Sequence, residues 1–293
     1  GSSAVARATS EGFAGTYGGT SHSVSVSVLA GEGTGMERDD DFLSARHGSD
    51  LGDPAAAGRE AAARALKRLN PRKAETCAVP IIYDPRVSMS LVGHFAGAIN
   101  GASIARGVSF LKDAMGKQVF ARGIEIVDDH HRVRGLRSKP FDGEGVANGR
   151  RALAHDGLLT TWIMDSASAR QLGLATTGHA ARGTGGPPSP ATTNLYMQAG
   201  TPTPAELMAD IKQGFYVTEL IGMGVNGVTG DYSRGAAGFW IEGGKLAYPV
   251  AEVTVAGNLK EMFARLTPAD DLVFRSGVDA PTCLIDGMTV AGR

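Results

Sequence analysis

The residues with the clearest spacing for chemistry lie in the glycine-rich segment 222–235. Gly222, Gly224 and Gly227 form a G-x-G-x-x-G pattern directly after a strand-like run at 215–221. Such a pattern binds a dinucleotide when a helix opens at its third glycine, because the helix N-terminus then faces the pyrophosphate. Further glycines and no 3.6-residue apolar period follow the pattern. The sequence therefore does not predict a nucleotide site here.

A cluster of polar residues at 231–234 follows these glycines. Binding groups are often placed in loops between strands, as this segment is predicted to be. An arginine there can hold a carboxylate through two hydrogen bonds, and an aspartate can accept from backbone N–H groups. The alternative is that the glycines only satisfy turn geometry and that the aspartate pairs with the arginine. The segment predicts four binding residues: Asp231, Tyr232, Ser233 and Arg234.

Other polar groups give weaker signals for chemistry. Residues 128–131, DDHH, offer four potential metal ligands, but consecutive side chains point in different directions, so we expect a solvated turn. Ser109 and Lys112 match S-x-x-K without the K-T-G that would complete a penicillin-binding site. His155 and His179 have no obvious partners in the sequence, and we expect them to be structural.

A set of ordered motifs spreads over nearly the whole chain. The longer ones are GDYSRGAAGFWIE at 230–242, AYPV at 247–250 and EVTVAGNLKEMF at 252–263. The shorter ones are SDL at 49–51, LNPRK at 69–73, GKQ at 116–118, PFDGEG at 140–145, ARQLGL at 169–174 and TGH at 177–179. With these motifs the chain resembles the TldD/PmbA family, also called modulators of DNA gyrase, which includes metallopeptidases. Within the family it resembles the PmbA branch, also called TldE.

The resemblance implies where a catalytic metal would be. The metal-bearing TldD branch carries H-E-x-x-x-H on the counterpart of the 87–105 segment, with two histidine ligands and a glutamate base. Laid over this chain, the motif places Gly93 and Ala98 at the histidine positions and His94 at the glutamate position. One imidazole cannot hold a catalytic zinc ion, which normally has three protein ligands. We expect no metal in this chain and retain His94 as the single catalytic candidate.

The two cysteines, Cys77 and Cys283, lie among apolar neighbours and are expected to be buried, reduced thiols. The metal-binding branch places a cysteine near its C-terminus. Cys283 lies in that region but several residues too late, so we expect it to pack in a strand.

The function expected from the resemblance is that of a metal-free subunit in a TldD/TldE-type peptidase acting in proteolysis and peptide maturation. Zinc would be bound by a TldD-like partner, and this chain would complete the peptide groove. Two alternatives remain open: a homodimeric peptidase that uses His94 or Cys283, and a regulator of DNA gyrase without hydrolytic activity. All three hypotheses predict a dimer, either with a TldD-like subunit or with a second copy.

Composition limits the partners. Lys plus Arg total 29 and Asp plus Glu total 30, for a formal net charge of −1, and no basic run exceeds two residues. A nucleic-acid interface needs clustered positive charge, so none is predicted. Residues 1–10 lack the apolar stretch of a signal peptide, and the uncharged run 87–105 is too polar to span a membrane. We expect a cytoplasmic protein.

The predicted fold class is α+β, with a mixed first half that contains a helix of small residues and a β-rich, barrel- or sandwich-like C-terminal half. Several glycines and alanines in the 87–105 helix predict close packing against another backbone. We expect a middle region at 1–215 and a β-rich region at 216–293, with the family's N-terminal α/β domain absent.

Element boundaries follow from periodicity and capping signals. Asp53 and Pro54 predict a helix start, and residues 39–53 are expected to form a loop. The predicted helices are 54–69, 87–105, 204–212 and 258–266, with a short helix ending at 174. The predicted strands are 24–28, 78–83, 118–127, 192–198, 215–221, 239–242, 245–248, 251–255 and 270–275, with a hairpin turning at 156–157.

Overall fold

The computed structural model describes residues 1–293. The chain begins with two β-hairpins and one helix, and two larger sheets with further helices follow. The helices are α1 (Pro54–Lys67), α2 (Pro85–Ala98), α3 (Gly101–Ala105), α4 (Ser166–Leu172), α5 (Pro204–Ala209) and α6 (Leu259–Ala264). The strands of the first part are β1 (Ser2–Ala8), β2 (Ala14–Thr20), β3 (His22–Ala30) and β4 (Glu37–Ala45). The next are β5 (Cys77–Tyr83), β6 (Ile126–Asp128), β7 (Arg151–His155), β8 (Leu158–Leu159), β9 (Ala180–Ala181), β10 (Ser189–Pro190) and β11 (Leu195–Met197). The last are β12 (Gln213–Ile221), β13 (Asp231–Glu242), β14 (Lys245–Asn258), β15 (Leu266–Pro268), β16 (Val278–Asp279) and β17 (Cys283–Ala291).

Helix α1 packs on the β3–β4 hairpin and begins as the sequence predicts. The Asp53 side chain accepts hydrogen bonds from the backbone N–H groups of Ala55 and Ala56, which satisfies two of the free donors at the helix start. Pro54 occupies the first turn, where its missing N–H costs nothing. The helix ends at Lys67, and Asn70 then takes a left-handed conformation with φ of 58°.

The predicted loop at 39–53 is wrong in its first part, because residues 39–45 belong to strand β4. Asp39 and Asp41 alternate with exposed residues and are buried. The Asp39 carboxylate lies 2.7 Å from Arg86 and 3.4 Å from Arg64, and Arg68 lies 3.6 Å away. The prediction was wrong because three consecutive aspartates were treated as solvated, whereas arginines from two helices compensate the inward carboxylates.

The larger β-sheet has the strand order β14-β13-β12-β5-β17-β15, and β14 also pairs with β17. That second pairing closes five of the strands into a barrel, which confirms the barrel-like C-terminal half and the α+β class. Strand β5 is parallel to β12 and antiparallel to β17, so it joins a sheet whose other strands all lie beyond residue 212. The division predicted at residue 215 stays a prediction.

A second sheet has the order β16-β11-β6-β7-β8. Its strand β6 is much shorter than the predicted strand 118–127, because Gln118 makes only an isolated bridge to Leu158. The predicted hairpin at 151–159 is present. The predicted strand at 270–275 is wrong: side-chain hydrogen bonds replace ladder pairing there, with Asp279 accepting from the backbone N–H of Arg275.

The predicted helix 87–105 is broken at Asn100, whose side chain accepts from the N–H of Ala102 and starts α3. Close packing is confirmed at Gly101, where an added Cβ would lie 2.8–2.9 Å from atoms of neighbouring residues. The prediction of close packing is wrong for Gly93 and Gly97, which face open space.

The main hydrophobic core contains 43 buried residues and runs from Ala74 to Val290. None of the helices combines the length and apolar character needed to cross a bilayer.

We predict that Asp39→Asn destabilises the protein by about 3 kcal/mol, because it leaves the arginines around Asp39 without their shared counter-ion. Urea unfolding followed by circular dichroism measures this change. Asp40→Asn is the matched control, since Asp40 is exposed on the same strand. Equal unfolding midpoints for the two variants would contradict the role of this ion cluster.

Candidate functional site

A cavity of about 330 Å³ lies between helix α2, the segment after α3 and the loop that joins β12 to β13. It contains the positions that match the family's metal motif together with one of the predicted binding residues. Its lining residues are Gly93, His94, Gly97, Ala98, Ser103, Val108, Phe110, Met223, Val225, Gly227, Arg234 and Leu259. The structure thus brings two segments that are distant in sequence to one site.

Helix α2 supplies one wall of the cavity. Gly93 and Gly97 are one turn apart and have no atoms within 4 Å of an added Cβ, so they leave the helix backbone accessible from the cavity. His94 is half-buried beside them, and Ala98 is buried at the helix end. The hydroxyl of Ser109 donates to the carbonyl of Ala98 at 2.5 Å, which satisfies one of the free acceptors at that end.

The opposite wall is the β12–β13 loop, which carries the G-x-G-x-x-G pattern. No helix follows the third glycine, because the chain enters β13 at Asp231. The N–H of Ser233 donates to the carbonyl of Gly224 at 2.7 Å, and a Cβ on Gly224 would lie 1.6 Å from the Ser233 carbonyl oxygen. Gly224 therefore permits a close backbone approach inside a hairpin, and the glycines do not form a nucleotide loop.

Strand alternation divides the four predicted binding residues into two pairs. Tyr232 is 1% exposed and Arg234 is half-buried, whereas Asp231 and Ser233 face solvent on the other side of β13. Asp231 accepts from the Thr229 hydroxyl at 2.6 Å and from the Asn258 amide at 3.1 Å. These hydrogen bonds lower the pKa of Asp231. The partners of Asp231 are therefore Thr229 in the loop and Asn258 at the end of β14, and not Arg234.

The cavity combines a neutral imidazole with a fixed positive charge. The His94 ring contacts the Tyr232 ring edge-to-face, with the ring centroids 6.0 Å apart. Burial, followed by the nearby Arg234 guanidinium, lowers the pKa of His94. His94 Nε2 and Arg234 Nε are both buried without a hydrogen-bond partner. The site can therefore offer a guanidinium to an anionic group, with the His94 ring beside it.

Cys283 does not line this cavity. It is fully buried on β17, where Sγ lies 3.3 Å from the Pro281 carbonyl oxygen and 3.8 Å from the sulfur of Met197. Burial raises the pKa of the thiol far above its ordinary value, so the thiolate is suppressed. Cys77 is a free thiol as well, half-buried, and burial also raises its pKa.

The predicted solvated turn at 128–131 is wrong for two of its four residues. Asp128 and His130 are fully buried and lie beside His179, which is also fully buried. Sequence analysis missed this group because adjacent side chains diverge, whereas residues two apart on an extended chain share a face. The D-x-H spacing of Asp128 and His130 is the signal that could have found it. His155, in contrast, is exposed and pairs with Glu125 at 2.8 Å.

We predict that Arg234→Met raises the pKa of His94, because it removes the positive charge that opposes protonation of the ring. Histidine proton shifts followed by NMR across a pH titration measure the change. Arg59→Met is the control, since Arg59 is exposed on α1 and pairs with Asp53. A His94 pKa that is the same in the wild type and in Arg234→Met would refute this coupling.

Comparisons with known families match both parts of the chain. Residues 1–69 match the model of the PmbA/TldA metallopeptidase central domain, and residues 76–292 match that of the PmbA/TldA metallopeptidase C-terminal domain. Among solved structures, a protein of Bacteroides thetaiotaomicron described as a proposed modulator of DNA gyrase aligns with a TM-score of 0.90. It is 28% identical, and the alignment covers 100% of this chain and 64% of that one. TldE of Thermococcus kodakarensis shares the fold, with a TM-score of 0.84 at 20% identity over 97% of this chain and 65% of that one.

Curated relatives give the same family. Metalloprotease PmbA of Escherichia coli O157:H7 is 43% identical over 97% of this chain, and the PmbA homologue of Haemophilus influenzae is 38% identical over 97%. The chain spans 61% of the length of each of these relatives. The TldD homologue of Haemophilus influenzae is 29% identical over 92% of this chain and is matched over 61% of its own length. The chain therefore belongs to the PmbA/TldD metallopeptidase family, with its higher identities on the PmbA side.

Proposed function

We propose that this chain is the substrate-positioning subunit of a two-subunit TldD/TldE-type peptidase, and that a TldD-like partner carries the catalytic zinc. The observation that carries the proposal is the cavity between α2 and the β12–β13 loop, where Arg234 faces His94 and the accessible helix backbone at Gly93 and Gly97. In this arrangement the Arg234 guanidinium holds a carboxylate of the peptide, and the peptide backbone lies along the open side of α2 at Gly93 and Gly97.

The donor set of the cavity argues against a catalytic metal at this position. Among the lining residues the only imidazole is His94, none is a carboxylate, and the cationic guanidinium of Arg234 lies close enough to add to the effect of burial in lowering the pKa of that imidazole. A zinc ion normally takes three protein ligands in a catalytic site, and a nearby cation opposes it. The residues present do not fit the metal, so this chain's contribution is restricted to binding and orientation of the peptide.

Exposed apolar side chains beside the cavity support a docked partner. Ile221, Met223 and Val228 are 59%, 94% and 57% exposed, and all three belong to the end of β12 or to the loop after it. Apolar groups gathered beside a concave site are typical of an interaction surface. A TldD-like subunit that covers this loop would bring its metal to the open side of the cavity.

The two alternatives have less support. A homodimeric peptidase would need a nucleophile or base in this chain, but Cys283 is buried away from the cavity and His94 has no acidic group near it to orient the ring. A regulator of DNA gyrase is suggested by the description of the Bacteroides relative. The balanced charge of the chain gives no separate reason to favour it.

We predict that Gly93→Leu lowers kcat/KM of the mixed complex on an unstructured peptide on the order of tenfold or more, because the new side chain enters the cavity and displaces the substrate. Gly58→Leu is the matched control: Gly58 also lies within a helix with no atoms near an added Cβ, but on α1. Both variants should assemble with the partner in size-exclusion chromatography. Unchanged kinetics for Gly93→Leu in an assembled, active complex would contradict a substrate site at this cavity.

A further inference from the structure

Three buried side chains converge near the C-terminal end of β6, in the second sheet and outside the cavity described above. Asp128 Oδ2 lies 3.2 Å from His179 Nε2 and 3.9 Å from His130 Nε2. The potential ligand atoms all lie within 4.8 Å of one another. All three side chains are 0% exposed. The chain therefore holds a carboxylate and two imidazoles together at a site where none of the three side chains is exposed.

The hydrogen bonds of the two imidazoles fix their tautomers. His130 Nδ1 lies 3.0 Å from the carbonyl oxygen of Gly149, and His179 Nδ1 lies 3.0 Å from the carbonyl oxygen and 2.9 Å from the hydroxyl oxygen of Thr177. A carbonyl oxygen only accepts, and the Thr177 hydroxyl already donates to the carbonyl of Met164 at 3.1 Å. Each Nδ1 therefore carries a proton, and a ring without a second proton presents a lone pair at Nε2. Neither Nε2 makes a hydrogen bond of good geometry, and the polar atom nearest to His179 Nε2, the carboxylate oxygen of Asp128 at 3.2 Å, is itself an acceptor. A ring nitrogen oriented by a hydrogen bond to the opposite nitrogen is typical of metal-binding histidines.

The carboxylate of Asp128 is oriented in the same way. The Thr193 hydroxyl donates to Oδ1 at 2.7 Å, and the Thr193 N–H lies within 3.0 Å of both carboxylate oxygens. Oδ2 thus points toward the imidazoles with lone pairs still available. Three acceptors that face one another without a donor between them are unfavourable inside a protein. A cation at their centre would satisfy all three.

We propose that Asp128, His130 and His179 form a binding site for a divalent transition-metal ion. Four-coordinate zinc with ligand bonds of about 2.0 Å separates neighbouring ligand atoms by about 3.3 Å, so small side-chain rotations bring the three atoms into range. Two imidazoles and one carboxylate suit zinc or iron(II), whereas magnesium and calcium prefer oxygen ligands. This donor set, together with the buried lone pairs, selects the class of ion.

The local backbone supports this arrangement. Gly178 has φ of 70°, and a Cβ there would lie 2.8 Å from the Ala147 carbonyl oxygen, so the turn that brings the His179 ring back over Thr177 requires glycine. His130 also borders an open cleft of about 590 Å³, which gives an ion a route from solvent. A metal here would connect β6 to the segment before β9 and stabilise the second sheet.

An imidazolium of His179 paired with Asp128 is the competing arrangement, and Lys139 adds positive charge near Asp128. In that arrangement a proton replaces the metal, and the protein would not bind zinc at these residues. The two arrangements therefore differ in zinc stoichiometry and in the state of the ring nitrogens.

Zinc titration of the chelator-treated chain by isothermal calorimetry tests the proposal. We expect one zinc ion per chain, binding at least about tenfold weaker in His130→Ala and in His179→Ala, and unchanged affinity in His131→Ala. His131 is the matched control because it is the exposed neighbour of His130. Absence of zinc binding by the wild type, or equal binding by all variants, would overturn the proposal.

Nitrogen NMR of the histidine rings provides a second measurement that needs no variant at the site. Zinc should shift the Nε2 resonances of His130 and His179 while leaving those of His155 unchanged, since His155 is exposed and pairs with Glu125. This result stays decisive even if a substitution at the buried site prevents folding. Unshifted Nε2 resonances for His130 and His179 at saturating zinc would overturn the proposal.

Discussion

The position of strand β5 between β12 and β17 is the constraint on which the site depends. Its hydrogen bonds to both neighbours fix the residue that follows it, Asp84, which begins helix α2. The N–H of Asp84 donates to the carbonyl of Val217 at 3.0 Å, and its carboxylate accepts from the N–H of Arg86 and the hydroxyl of Tyr216. Because these contacts cap α2 and attach it to β12, the helix lies in one position relative to the barrel.

The cavity follows from that geometry. Strand β12 leads into the glycine-rich loop, and β13 returns antiparallel to it, so Arg234 comes back to face the helix that starts beside β12. Period-2 alternation then decides which side chains take part, and Tyr232 and Arg234 share the inward face. A barrel with a closed hydrogen-bond ladder supplies the rigid support, and the candidate binding groups lie on β13 and on a helix with glycines on its open side.

Much of the local structure could be predicted from the sequence, and most failures have one physical cause. The alternating valines of β3, the Asp53 cap of α1 and the hairpin at 156–157 depend on nearby residues and were predicted. Strand β4 was not, because its buried carboxylates depend on arginines that arrive from other elements. When charges on elements distant in sequence compensate one another, a short stretch of sequence gives no sign of it.

The candidate site shows the same limit. The four-residue segment 231–234 was predicted as one cluster, whereas its division into inward and outward pairs requires knowing that it is a strand rather than a loop. The meeting of His94 with Arg234 requires the barrel topology, and the meeting of His179 with Asp128 requires the segment before β9 to pack against β6 of the second sheet. Residue types and spacing indicate which groups can do chemistry, but the long-range strand pairings decide which of them meet.

The central claim is that this chain binds and orients a peptide for a metal held by another subunit. The most direct measurement is hydrolysis of an unstructured peptide by the purified chain, by a TldD-like subunit and by their equimolar mixture, with zinc supplied in every case. The account predicts hydrolysis by the mixture and none by this chain alone, even when zinc is bound to it. Hydrolysis by this chain alone, at a rate comparable with that of the mixture, would contradict it.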